Sequence, residues 1–321
     1  MKLKLLFVCA LAAVPPAQAA FTSTVTVSSK GIALVRAGAA SQDNTTPWVF
    51  DTGASFASAA ATANQSHVDI DNTGGALATA HAVPGGLHVT AYALGQSISG
   101  AVLPNSSNWQ AAGSAGGEAR SSDGLVFNIA GLAANTLVTV SFGVNFSGVL
   151  AWQNTGITPT LGTTTMSGGG WRVDLAGQGS GNTAALYTER GVITDQRPLT
   201  TGAIAGSSVV SLGNVVPLTM MLYADATASA VGRCADDGCG VGQVASNSFA
   251  DFGHTLGWGG ISALHHSNGD SIDLSRLQLT SDSGFDYRQA YVSAIPEPAT
   301  WALWLVSLGG LAVRLRRRVG L

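Results

Sequence analysis

Apolar residues recur at every second position in many short stretches of this chain, which is the period of a strand with one buried face. The clearest is Thr136–Val144, where Leu137, Val138 and Val140 lead into Phe142 and Val144. The pattern predicts further strands at Thr22–Ser28, Gly31–Arg36, Trp48–Phe50, Leu125–Ile129, Phe146–Trp152 and Trp171–Leu175. Others follow at Thr183–Glu189, Val209–Leu212 and Val215–Tyr223, with two more inside Phe249–Leu264 around Gly259-Gly260. Ala76–Val83 and Leu87–Leu94 flank Pro84-Gly85-Gly86 and read as a hairpin. Ile272–Leu279 alternates with one break, which reads as a β-bulge. Ser55–Asp71 lacks a period of 3.6 and is assigned to strands. Asp43–Pro47, Asn105–Gly117 and the Thr- and Gly-rich Ile157–Gly170 are expected to be loops or connections. Many short strands, Gly-rich turns and no long helix predict an all-β fold, a jelly-roll-like β-sandwich. No fixed-period repeat points to a solenoid or propeller.

Both ends break this pattern. At the start, Lys2 and Lys4 precede the apolar run Leu5–Val14, and Ala17-Gln18-Ala19 is an A-x-A site. That is a secretory signal peptide, with cleavage between Ala19 and Ala20. At the other end stand Pro296-Glu297-Pro298, the apolar run Trp301–Val313, and Arg314, Arg316, Arg317 and Arg318. Each proline fixes φ and pushes its predecessor out of the helical region, so Ile295–Glu297 is expected to be extended and open to a protease. Pro298 suits the first position of a helix. Residues 299–313 would make about 22 Å of helix, short against a hydrocarbon core of about 30 Å. The arginines would stay cytoplasmic during a transient insertion.

In these residues the tail resembles the PEP-CTERM sorting signal of exported bacterial proteins. The resemblance covers roughly the last 26 residues. It implies processing by an exosortase near Pro-Glu-Pro, after export by the Sec machinery and transient inner-membrane insertion through 299–313. It also implies residence at the cell surface, the outer envelope or an exopolysaccharide matrix. As with a lipid-anchor signal whose apolar tail is removed, the finished protein would keep no span. The expected organisation is a signal peptide at 1–19, a sandwich ectodomain at 20–294 and a sorting signal at 295–321. The stretch Ser281-Asp282-Ser283-Gly284-Phe285-Asp286-Tyr287 also looks like the segment that precedes the signal in such proteins. This looser likeness implies that the last strand completes the sandwich and that the tail leaves from a sheet edge.

Charge changes the picture once the ends are set aside. Six of the 15 Lys and Arg lie in the terminal segments, and Glu297 is the only one of 18 acids there. The ectodomain is left with nine bases against 17 acids, a net charge of −8, and Lys30 is its only lysine. Such a domain is a poor nucleic-acid binder, since phosphate neutralisation needs clustered cations. Low charge and 41 glycines suggest disorder, but 46% apolar residues suffice to bury a core. Cys9 leaves with the signal peptide. Cys234 and Cys239, around Asp237-Gly238, read as a local disulfide of an exported domain, worth about 2 kcal/mol by chain entropy. Metal binding by this lone pair is the weaker alternative.

Candidate chemistry is sparse. Val49-Phe50-Asp51-Thr52-Gly53 matches the local pattern of an aspartic protease, which needs a second carboxylate sharing a proton. The only other D-[ST]-G is Asp282-Ser283-Gly284, which lacks the apolar pair before it. The alternative is an Asp-x-Gly turn after a strand. His265-His266 with Asp270 and Asp273 suggests a metal cluster, though adjacent strand residues point to opposite faces. Asp69 and Asp71, and Asp236-Asp237, are acidic turns without a calcium-loop spacing. Trp109, in a polar loop, is the best candidate for stacking on a sugar, while Trp48, Trp152, Trp171 and Trp258 read as core. The expectation is therefore a surface or matrix structural protein with no catalytic site, no metal and no cofactor. The alternatives are a carbohydrate-binding module on exopolysaccharide and a hydrolase using Asp51.

Overall fold

The computed structural model describes residues 23–37, 40–67, 72–99, 108–155, 161–189, 194–233 and 242–292. Two antiparallel sheets face each other. The first runs β2 (Ala40–Gly53), β1 (Thr24–Ala37), β6 (Asn108–Ile129), β11 (Val215–Arg233), β8 (Leu161–Leu175), β9 (Gln178–Glu189). The second runs β10 (Thr194–Ser211), β7 (Leu137–Thr155), β12 (Gly242–His266), β5 (Gly86–Ser99), β4 (Asn72–Val83), β3 (Ala57–His67). Two short strands complete them: β13 (Ser271–Ile272) beside β12, and β14 (Leu277–Ser281) beside β6. Sequential hairpins β1–β2, β3–β4–β5 and β8–β9 build the flanks. The expected sandwich is thus present. The signal peptide, the Cys234–Cys239 pair, the acidic turns at 69–71 and 236–237 and the sorting tail lie outside the described residues.

Alternation explains why these strands form. Along β7 buried and less buried positions alternate without a break. Val138, Val140, Phe142, Val144, Phe146, Leu150 and Trp152 point inward. The core is graded along the strands. Near Gly74, Gly95 and Gly113 it is built mostly of Ala, Gly, Ser and Thr, and the sheets nearly touch: a methyl group on Gly113 would stand 1.8 Å from the Gly75 carbonyl oxygen. Toward the other end Phe127, Phe142, Phe252, Trp171 and Trp258 fill a wider gap, all of them buried. Small side chains bury little area each, so the aromatic end carries most of the hydrophobic stabilisation.

Several expected loops are strands. Asp43–Pro47 lies within β2, most of Asn105–Gly117 forms the start of β6, and most of Ile157–Gly170 belongs to β8. In β8 the inward positions are Thr163, Thr165, Ser167 and Gly169, all buried. A period-2 search for large apolar residues passes over them because this part of the core admits only small ones. The expected bulge in Ile272–Leu279 is instead a 3₁₀ turn at Leu274–Arg276 between β13 and β14. Asp273 caps it, its Oδ1 accepting from Ser275 N at 2.9 Å. That is the side-chain-to-backbone bond that favours Asp at such starts.

Candidate functional site

The sandwich is stepped at one end. In the first sheet β1 accompanies β6 as far as the Thr24–Ser122 pair, and β6 continues to Ile129. In the second, β5 accompanies β12 as far as Gly86–Gly257, and β12 continues to His266. Without a further segment, a corner of core holding Phe127, Phe142 and Trp258 would face water. The last described residues close it. β14 pairs with β6 from Leu277–Ile129 to Ser281–Leu125, continuing the line of β1. Ala290 bridges Gly259, continuing the line of β5. Residues 282–289 cross from one sheet to the other.

Asp123 anchors the crossing. It is 1% exposed, on β6 where β1 ends. Its Oδ1 accepts from Gly124 N at 2.9 Å and from Ser283 N at 3.1 Å, and its Oδ2 accepts from the Ser283 hydroxyl. Asp282 N donates to the Gly124 carbonyl at 3.0 Å. Inside the crossing, Ser281 Oγ donates to the Phe285 carbonyl at 2.8 Å, and Phe285 N to Ser283 Oγ at 3.2 Å. A buried carboxylate is tolerated when donors enclose it, and charge-assisted bonds are the stronger kind. Desolvation, then repulsion from Asp123, raises the Asp282 carboxyl. Tyr287 is fully buried, and burial first and Asp123 second push its phenol far above the ordinary value.

Aromatic packing secures the other side. Trp258 Nε1 donates to the Tyr287 carbonyl at 2.7 Å. The Trp258 ring stacks on Phe142 with centroids 5.0 Å apart and meets Tyr287 edge-on at 5.6 Å. Phe285 meets Tyr287 edge-on at 4.7 Å. The β4–β5 turn makes room for this. A methyl on Gly85 would lie 2.7 Å from the Phe285 ring, and one on Gly86 2.4 Å from the Tyr291 ring. Gly85 also has φ +78°, a region that other residues rarely adopt. Tyr291 N donates to the Trp258 carbonyl at 2.7 Å. An exposed Asp286–Arg288 pair at 2.8 Å holds the Asp286 carboxyl low through the guanidinium hydrogen bond, but such a surface pair adds little stability. The chain then leaves at Val292, which is 82% exposed. The chemistry of the arrangement is that of an anchor: it fixes the point from which the C-terminal tail departs. The last strand does complete the first sheet. The exit, however, lies at the ends of β12 and β5, inside the second sheet, and not along a lateral edge.

Asp51 is exposed on β2, and its two oxygens accept from Thr52 N and Ser58 N, both at 2.9 Å. It pins the β2–β3 connection, the role of an Asp-x-Gly turn, while Asp282-Ser283-Gly284 belongs to the crossing. His265 Nδ1 lies 3.3 Å from the Gly269 carbonyl in the β12–β13 turn. Asp270 Oδ2 accepts from Asn268 at 2.7 Å, and Asp273 caps its 3₁₀ turn. Among the described residues no group of three His, Cys, Asp or Glu converges on a metal position. Trp109 sits in β6 between Ala37 and Gly232, in a strand and not in a loop. Its side chain is outside the described set. Trp152, Trp171 and Trp258 are buried, as expected. The sequence reading passed over Asp123, because Asp123-Gly124 after two serines reads as a turn.

Among the described residues no helix is long and apolar enough to cross a membrane. The family model for the PEP-CTERM protein-sorting motif matches residues 294–318, two residues beyond the anchored exit. No curated protein matches the chain.

Proposed function

We propose that this chain, a bearer of the PEP-CTERM protein-sorting motif, is an exported structural protein of the cell surface or extracellular matrix. An exosortase processes it at the C-terminal end, and it associates with exopolysaccharide. The observation that carries the reading is the motif at 294–318 placed directly after a closed, acidic β-sandwich. The motif accounts for export and for transit through the inner membrane. The sandwich supplies a durable, hydroxyl-rich body whose net negative charge is unsuited to nucleic acid. The reading assigns it no catalytic role. The test is to replace Pro296 and Pro298 by alanine in the native host and follow the protein by cell fractionation. The variant should accumulate in the inner membrane, whereas the parent protein reaches the envelope and medium. Equal distribution of the two would refute the reading.

A second reading is favoured by one observation. On the outer face of the second sheet, Tyr92 of β5 and Phe249 of β12 are cross-strand partners with ring centroids 6.5 Å apart, both partly exposed. The two rings are inclined at 67°, so together they offer a face and an edge on which a sugar ring can pack. Tyr92→Ala together with Phe249→Ala should then abolish pull-down by exopolysaccharide without lowering Tm. Retained pull-down would exclude this face.

A further inference from the structure

We infer that the stepped end of the sandwich is the surface that meets the processing enzyme, so that the tail is cleaved from a folded domain seated against that enzyme. The inference rests on the proposed exosortase processing. Three observations point to it. First, the chain is anchored up to Tyr291, and Pro296 follows Val292 by four residues. Pro298 follows by six, so at roughly 3.3–3.6 Å per residue the cleavage region lies within about 14–22 Å of the fold. A membrane-embedded enzyme reaching that region must touch the domain. Second, large apolar side chains are exposed toward this end of the fold. The three most exposed large hydrophobic residues among those described are Val292 at 82%, Phe50 at 72% and Phe56 at 58%.

Third, these residues share one end of the fold. Gly53, which ends β2, pairs with Val25 near the start of β1, so Phe50 lies three residues, about 10 Å, from that end. Phe56 directly precedes β3, whose first residue Ala57 pairs with Ala82, one residue before the Val83–Gly86 pair that closes the β4–β5 turn. Tyr291 packs against that same turn at Gly86. The Phe56 ring sits 6.5 Å from His81. Phe50, paired with the outward-facing Ser28, lies on the outer face of the first sheet, and Phe56, beside the exposed His81, on that of the second, so exposed aromatics flank this end of the fold from both sheets. The occupant implied is the outer face of the membrane-embedded enzyme, presenting apolar side chains. Lipid itself is the competing occupant.

The test measures processing rate in the native host by pulse-labelling and intact mass. Phe50→Ser with Phe56→Ser changes exposed side chains, so its melting temperature should match that of the parent. Its processing should be slowed about fivefold or more. A flexible insertion of 20 residues between Val292 and Ser293 should make the rate insensitive to that double substitution, because the tail then reaches the enzyme without the domain. An unchanged rate for a normally melting double variant overturns the inference. A photo-crosslinking residue at position 56 should yield an adduct with the processing enzyme, identified by mass. Adducts with lipid alone also overturn it. If the parent protein is not processed at all, the underlying functional reading fails instead.

Discussion

Ser283 donates its backbone N–H to Asp123 across 160 positions of sequence, at 3.1 Å, and its hydroxyl to the other oxygen of the same carboxylate. The pair ties the last segment of the domain to the middle strand of its first sheet. Removing one partner leaves buried groups unpaired, which costs about 1–3 kcal/mol. Asp123→Ala and Ser283→Ala should each lower stability by that order in urea unfolding. In the double variant the two losses should fall short of adding, since the sites are in contact. Strict additivity would mean that the bond contributes nothing.

Tyr287 makes the crossing sensitive to alkali. Its phenol is raised by burial and by Asp123, so the folded domain resists its ionisation. Below the ordinary tyrosine value of about 10 the group is protonated in both states and stability is unaffected. As pH rises past that value the unfolded chain releases the proton and the folded one does not. Stability should then fall by about 1.4 kcal/mol per pH unit. Tyr287→Phe should remove this component of the fall, which urea titrations at pH 8 and pH 11 would reveal. A variant with the same alkaline loss as the parent would assign the loss to other groups.

Gly113 tests the close contact of the sheets. Its absent Cβ would fall 1.8 Å from the Gly75 oxygen and 2.9 Å from that of Leu94, both backbone atoms. Gly113→Ala must part the sheets locally and should cost about 1–3 kcal/mol by overpacking. Ala112→Gly, at a less buried position next to it, should cost about 1 kcal/mol or less. Thermal melting of the two variants distinguishes them.

How much of this was legible in the sequence depended on side-chain size. Strands with large alternating residues, such as Leu137–Val144, read directly from their period. Thr163, Thr165, Ser167 and Gly169 alternate just as strictly, but a core that accepts only small residues there erases the contrast between inside and outside. The 3₁₀ turn at Leu274–Arg276 was disguised as a bulge because Ile272 and Leu277 face the core from two separate short strands. Asp123 resembled a turn residue because its distant partner, Ser283, lies 160 positions further on, beyond any local pattern. The tail was the opposite case. Pro296, Glu297, Pro298, the apolar run and the arginines carry their meaning in linear order, so no fold was needed to read them.

The central claim is that the chain is exported and cut near Pro-Glu-Pro, leaving the anchored sandwich as the finished protein. The most direct measurement is the intact mass of the protein isolated from the envelope and medium of its native host. A chain beginning at Ala20 and lacking everything after about Pro298 is the predicted result. A full-length C-terminus, with Arg314–Arg318 still attached, would contradict it.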